Sequence, residues 1–124
     1  MSLLSLPAHL SYYLYTGHAD MRRTFEGLCG LVRNEMNADP LDHQVYIFIN
    51  RRGTQVKLLL WEGDGFSIYH KRLEAGTFER PQPDGNEQQL AITRTQLQLI
   101  LQGVKLQSVT YRKRYERRRI SEKK

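Results

Sequence analysis

With 124 residues and a single cysteine, Cys29, the chain fits one domain of ordinary size and excludes an internal disulfide framework. Its 40% hydrophobic content supports a real core. No run nears the ~18 apolar residues of a membrane span, and "MSLLSLPAHL" lacks the basic start and long apolar stretch of a signal peptide. A cytoplasmic protein that keeps clear of membranes is expected.

The net charge of +6 is concentrated at one end. Residues 1–104 carry 10 Lys and Arg against 11 Asp and Glu, whereas residues 105–124 carry 9 against 2. A near-neutral body with a basic arm points to a polyanionic partner. A merely solubilising tail is the plainer alternative. The chain therefore divides into an α+β domain over residues 1–104 and a basic, flexible tail over 105–124.

In chain order, the aromatic-rich "HLSYYLYT" (His9–Thr16) reads as a strand. Asp20 stands where an N-cap belongs, before a helix over 21–36. Met21, Phe25, Leu28, Cys29, Val32 and Met36 recur at spacings of three and four and form its apolar stripe. Gly27 and Gly30 each cost about 1 kcal/mol inside a helix, which predicts close backbone packing there. "VYIFIN" (Val45–Asn50) reads as a buried strand, "RRGT" as a hairpin turn, and "QVKLLLWE" as its partner. "GDG" (Gly63–Gly65) turns the chain into "FSIYHKR" (Phe66–Arg72). Leu73–Glu87, with its Gly and Pro residues, reads as a loop, and "QQLAIT" as a returning strand. Thr93 with Gln96 forms a capping box for a last helix, with Leu97, Ile100, Leu101 and Val104 as its apolar face and Gly103 beyond its end. The expected architecture is an antiparallel β-meander sheet with two helices packed on one face.

Catalytic signals are weak. His9, His18, His43 and His70 have no metal-ligand spacing, and Cys29 falls on an apolar stripe where a packed thiol is the default. Asp20, Glu62 and Asp64 lie beside turns, and a two-metal nuclease would require them to converge. "GDGF" matches no phosphate loop and no serine sits in a nucleophile elbow. No cofactor is implied.

Binding signals are stronger. "YRKRYERRR" sets Tyr111 and Tyr115 among Arg112, Lys113, Arg114, Arg117, Arg118 and Arg119. Guanidinium groups pair with phosphates and tyrosines stack on exposed bases. Within the strands, Arg51 and Arg52 flank one turn, Lys71 and Arg72 end another strand, and Lys57 lies between Val56 and Leu58. A solvent-facing Lys57 would bring Leu59 and Trp61 with it as an exposed platform. The alternative is that helices or a second subunit cover both sheet faces. Arg51, Arg52, Lys71 and Arg72 are expected to form one patch around Trp61.

Three stretches carry a resemblance: "LYTGHADMRRTFEGLCGLV", "VYIFINRRGTQVKLLLWEGDGFSIYHKRLEAGTF" and "LAITRTQLQLILQGV". In order and spacing, over Leu14–Val104, the chain resembles the TnpB-type accessory proteins of the insertion-sequence-66 family of bacterial transposable elements. It departs from that pattern at Leu60, where a second tryptophan is common, at Glu79 and Arg80 in place of Trp-Pro, and at Arg94 in place of proline. The resemblance implies a non-catalytic helper of transposition, acting beside a larger transposase that carries the chemistry. Arg22, Arg23, Arg51, Arg52, Lys57, Lys71 and Arg72 match its basic positions and are candidates for contact with DNA or transposase. An adaptor that binds only the transposase is the alternative, and homo-oligomerisation stays open.

Overall fold

The computed structural model describes residues 6–103. Strands β1 (Tyr12–Tyr15), β2 (Val45–Ile49), β3 (Gln55–Trp61), β4 (Phe66–Arg72) and β5 (Gln89–Ile92) form one sheet in the order β4-β3-β2-β1-β5. Helices α1 (Phe25–Asn34) and α2 (Arg94–Leu101) complete the fold. The expected α+β class holds, and β2, β3 and β4 form the expected antiparallel meander.

The sheet as a whole is mixed, not purely antiparallel. Tyr12 pairs with Val45 and Leu14 with Ile47 in parallel register. The cause is the connection: residues 16–44 include α1, and a crossover of that kind returns the chain in its original direction. The final strand then pairs antiparallel with the far side of β1, Tyr12 facing Ile92.

The helices also lie on opposite faces. Leu97 and Ile100 of α2 pack with Leu14, Val45, Ile47, Ile49, Val56, Leu58 and Leu60. Leu28, Leu31 and Val32 of α1 pack with Tyr15, Tyr46, Phe48 and Leu59. All five residues of β2 are buried, as a central strand covered on both sides must be. A single-faced arrangement would leave one of these apolar rows in water, at ~25 cal/mol per Å². Helix α1 crosses its face from edge to edge. The ring of Phe25 lies 6.4 Å from Phe66 on β4. The Gln89 amide on β5 donates to the Met36 carbonyl just past the other end of α1.

Helix α1 starts later than the sequence indicates. Asp20 caps a turn instead: its carboxylate accepts the Arg22 N–H at 2.9 Å and its carbonyl accepts the Arg23 N–H at 3.0 Å. The carbonyls of Met21 and Arg23 are taken by the Lys57 ammonium. The first helical bond runs from the Leu28 N–H to the Thr24 carbonyl. Close packing at Gly30 is not found either, since nothing lies within 4 Å of a Cβ placed there. Helix α2 matches expectation, with both bonds of the Thr93–Gln96 capping box formed and Gly103 at φ +80° past its end.

Residues 73–88 carry the chain along one end of the sheet, from the β4 edge to the β5 edge. The Leu73 N–H donates to the Thr54 carbonyl, Phe78 N–H to Gly53 at 2.7 Å, and Thr16 N–H to Gln88 at 3.1 Å. Phe78 is buried in the α2-side core. It seals this end, which is where the candidate site lies.

Candidate nucleic-acid interface

The β2–β3 turn is built around Asn50. Its side-chain oxygen accepts the N–H groups of Thr54 and Gln55 at 2.9 and 3.0 Å, and its carbonyl accepts that of Gly53 at 3.0 Å. Gly53 holds φ +74°, a conformation that disfavours any side chain. This turn projects Arg51 and Arg52 into solvent.

Other basic side chains lie at the same end. The Ala19 N–H donates to the Ile49 carbonyl at 3.0 Å, which sets the exposed His18 beside the turn. A guanidinium nitrogen of Arg80, Nη2, donates to the Asn50 carbonyl. Arg80 Nε is buried and has no acceptor among the described residues. Slight desolvation of its exposed ring first, then Arg80 and Arg51, holds the His18 pKa below its usual 6.5. Burial and Arg51 likewise lower that of Arg80. Arg72, opposite Gln55, reaches Glu74 at 3.4 Å in an exposed pair that adds little stability.

The opposite end of the sheet is acidic. Glu62 and Asp64 lie in the β3–β4 turn, and Asp42 precedes β2 and accepts the Tyr46 hydroxyl at 2.6 Å. Burial and that bond raise the Tyr46 pKa.

The sequence candidates separate accordingly. Arg51, Arg52 and Arg72 share the cationic end. Lys71 is there too, but its ammonium donates to the Leu101 carbonyl at 2.7 Å, closing the C-terminus of α2 as a helix-end cation does. Lys57 is only 6% exposed, and Leu59 on the same face is fully buried, so the exposed platform is absent and the covered-face alternative holds. Trp61 stands at the other end of β3, six residues from Gln55, roughly 20 Å away at ~3.3 Å per residue. The four cations therefore do not surround it. Its neighbours are Phe66, at 4.9 Å, and through Phe66 the 43%-exposed Phe25.

Arg22 forms a 2.7 Å ion pair with Asp20, whose carboxyl is held down to about 2 by the hydrogen bonds from Arg22. Arg112, Lys113, Arg114, Arg117, Arg118 and Arg119 lie outside the described residues, as does the division at residue 105. Sequence reading missed Arg80 and His18, because the Arg80 guanidinium is placed by the Asn50 carbonyl and His18 by the bond of its neighbour Ala19 to Ile49. The sequence signal was only an arginine in a loop otherwise rich in Pro and Gly.

Among the described residues no three His, Cys, Asp or Glu side chains come together as a metal-holding group, so Asp20, Glu62 and Asp64 do not converge. Cys29 is buried and its thiol pKa is pushed up by burial, as expected of a packing residue. No helix among the described residues is long and apolar enough to cross a membrane.

Fold and surface thus define a small domain with a mixed sheet between two helices and a cluster of arginines around the β2–β3 turn. The chain belongs to the family of IS66 Orf2-like proteins, whose family model matches residues 10–111. It is similar to two proteins of Sinorhizobium fredii that are described as uncharacterized. With y4hO it shares 34% identity over 92 residues, covering 74% of this chain and 78% of that protein. With y4jC it shares 33% over 66 residues, covering 53% and 56%. No solved structure matches the chain significantly.

Proposed function

We propose that the chain is a non-catalytic accessory protein of DNA transposition that binds DNA through the cationic end of its sheet together with its basic tail. Membership of the IS66 Orf2-like family supplies the transposition context. The observation that carries the DNA reading is the bond from Lys71 to Leu101. It sets the C-terminus of α2 beside Arg72 and the Asn50–Gly53 turn, so the tail is attached where Arg51, Arg52 and Arg80 already gather. Two weak phosphate-binding elements joined this closely reinforce each other through effective concentration.

The test is the salt dependence of duplex binding. A protein neutralising Z phosphates shows a slope of log K against log salt near −0.9Z. Removal of residues 105–124 is expected to flatten the slope and leave the fold intact. An unchanged slope after truncation overturns the role of the tail.

A second reading, an adaptor for the transposase of the same element, is favoured by the partly exposed Phe25, Trp61 and Phe66 at the acidic end. Aromatic groups of this kind anchor protein interfaces. Co-purification with the transposase that survives high salt and nuclease treatment supports it, and loss under either treatment removes it.

A further inference from the structure

The cations at the turn end are not equivalent. Arg51 and Arg52 are both exposed on the turn, but Arg51, next to Asn50, is the one whose charge acts on His18 and Arg80. Two contacts hold this place together: Ala19 N–H to the Ile49 carbonyl at 3.0 Å, which brings the backbone at His18 to the end of β2, and Arg80 Nη2 to the Asn50 carbonyl. Arg51 follows Asn50 directly. The charged neighbours acting on His18 are Arg80 and Arg51, and the one acting on Arg80 is Arg51. Glu79, adjacent in sequence, has contacts of its own.

Holding the Arg51 charge close to the half-buried Arg80 guanidinium raises the free energy of the unliganded protein. Arg80 adds a donor, Nε–H, that lies buried without an acceptor among the described residues, and an unsatisfied buried donor of this kind calls for an explanation. Solvent exposure relieves neither feature fully, since Arg80 is half-buried. An anion seated among the three groups relieves the repulsion, and a tetrahedral oxyanion suits the planar fork of arginine.

We propose that His18, Arg51 and Arg80 form a clasp for a single phosphate group of a nucleic-acid backbone, with the base of the Asn50–Gly53 turn as its floor. The clasp rests on the DNA-binding reading given above and adds a position to it. Arg80 is the anchor, fixed before the ligand arrives by its bond to Asn50. Arg51 closes from the solvent side, and His18 supplies a ring N–H. Arg52 is left to longer-range attraction.

The full-length protein is titrated in two arms. In the first, a short mixed-sequence duplex is bound over a range of salt by wild type, Arg80→Gln, Arg51→Gln and Arg52→Gln. In the second, inorganic phosphate is added while the amide resonances of Ala19, Arg51 and Gly53 are followed. Loss of a hydrogen bond to a charged group predicts that Arg80→Gln weakens duplex binding about tenfold or more. It is also expected to reduce the salt slope by about one unit, with a smaller effect from Arg52→Gln. Phosphate is expected to move the three resonances in wild type and not in Arg80→Gln. Arg51 is exposed, so Arg51→Gln leaves the fold intact and tests the clasp even if Arg80→Gln unfolds.

Equal losses in Arg51→Gln and Arg52→Gln, or wild-type affinity in Arg51→Gln, overturn the clasp while the DNA reading stands. Phosphate-induced shifts in a protein that binds no duplex keep the three groups as an anion site but overturn both its assignment to a nucleic-acid backbone and the DNA reading.

Discussion

The Lys57 ammonium lies 2.7 Å from the carbonyl oxygen of Arg23, in a position that is 6% exposed. A second bond reaches the Met21 carbonyl at 2.8 Å. A buried cation is thus held by main-chain oxygens and ties the approach to α1 onto the middle strand of the meander. Replacement by methionine, which matches the stem but not the charge, is expected to cost about 3 kcal/mol through two lost charge-assisted bonds and two stranded carbonyls. Chemical denaturation measures this. A loss below about 1 kcal/mol would mean that water replaces the ammonium freely.

Glycines in α1 and in the β2–β3 turn respond oppositely to alanine. Gly30 has open space around it and no positive φ, so Gly30→Ala is expected to stabilise by up to about 1 kcal/mol. Gly53 sits at φ +74°, and the Phe78 carbonyl lies 3.4 Å from where an alanine methyl would stand. Gly53→Ala is therefore expected to cost about 1–2 kcal/mol. Thermal unfolding of the pair gives both signs, and a stabilising Gly53→Ala contradicts the turn geometry.

The capping box of α2 gives a graded test. Thr93 accepts the Gln96 N–H at 3.0 Å and the Gln96 side chain accepts the Thr93 N–H at 2.8 Å. Thr93→Ala is expected to cost about 1 kcal/mol in chemical denaturation, and Thr93→Ser to recover most of it. Equal losses in both variants would assign the effect to the threonine methyl.

Histidine titration adds a small acid dependence to stability. His18 and His70 are exposed, and both have folded pKa values held below the usual 6.5, first by partial desolvation and then by neighbouring cations. The unfolded chain therefore takes up their protons first. Their contribution is present above pH 6.5 and is lost as the pH falls through the lower folded values. The unfolding temperature of wild type is expected to fall between about pH 7.5 and about pH 5.5 more than that of a His18→Gln, His70→Gln double variant. Parallel curves would rule this out.

The strands were legible because each carries its own signal. Val45–Ile49 is apolar throughout, and the turns around Gly53 and Gly63 are marked by residues that tolerate positive φ. The capping box of α2 was legible for the same local reason. What escaped depends on distant partners. The start of α1 is decided by Lys57, far along the chain, which takes the carbonyls that a helix from Met21 would have used. The parallel pairing of β1 with β2 follows from the path of the crossover and leaves no mark in either strand. Of the candidate site, Arg51, Arg52 and Arg72 were visible as charge beside turns. Lys57 and Lys71 looked the same in sequence, and only their carbonyl partners separate them from the surface cations.

Strand β1 is flanked by β2 on one side and by β5 on the other, and β5 follows every other strand in the described residues. While the polypeptide is being synthesised, "YYLY" can settle against β2 long before Gln89–Ile92 emerges. Until then its outer row of N–H and C=O groups is an open edge carrying tyrosines, the kind of edge that recruits strands from other molecules. The slow step in reaching the native state is therefore expected to be closure of this edge, and aggregation during expression should respond to changes in β5 more than to changes in the early-formed meander.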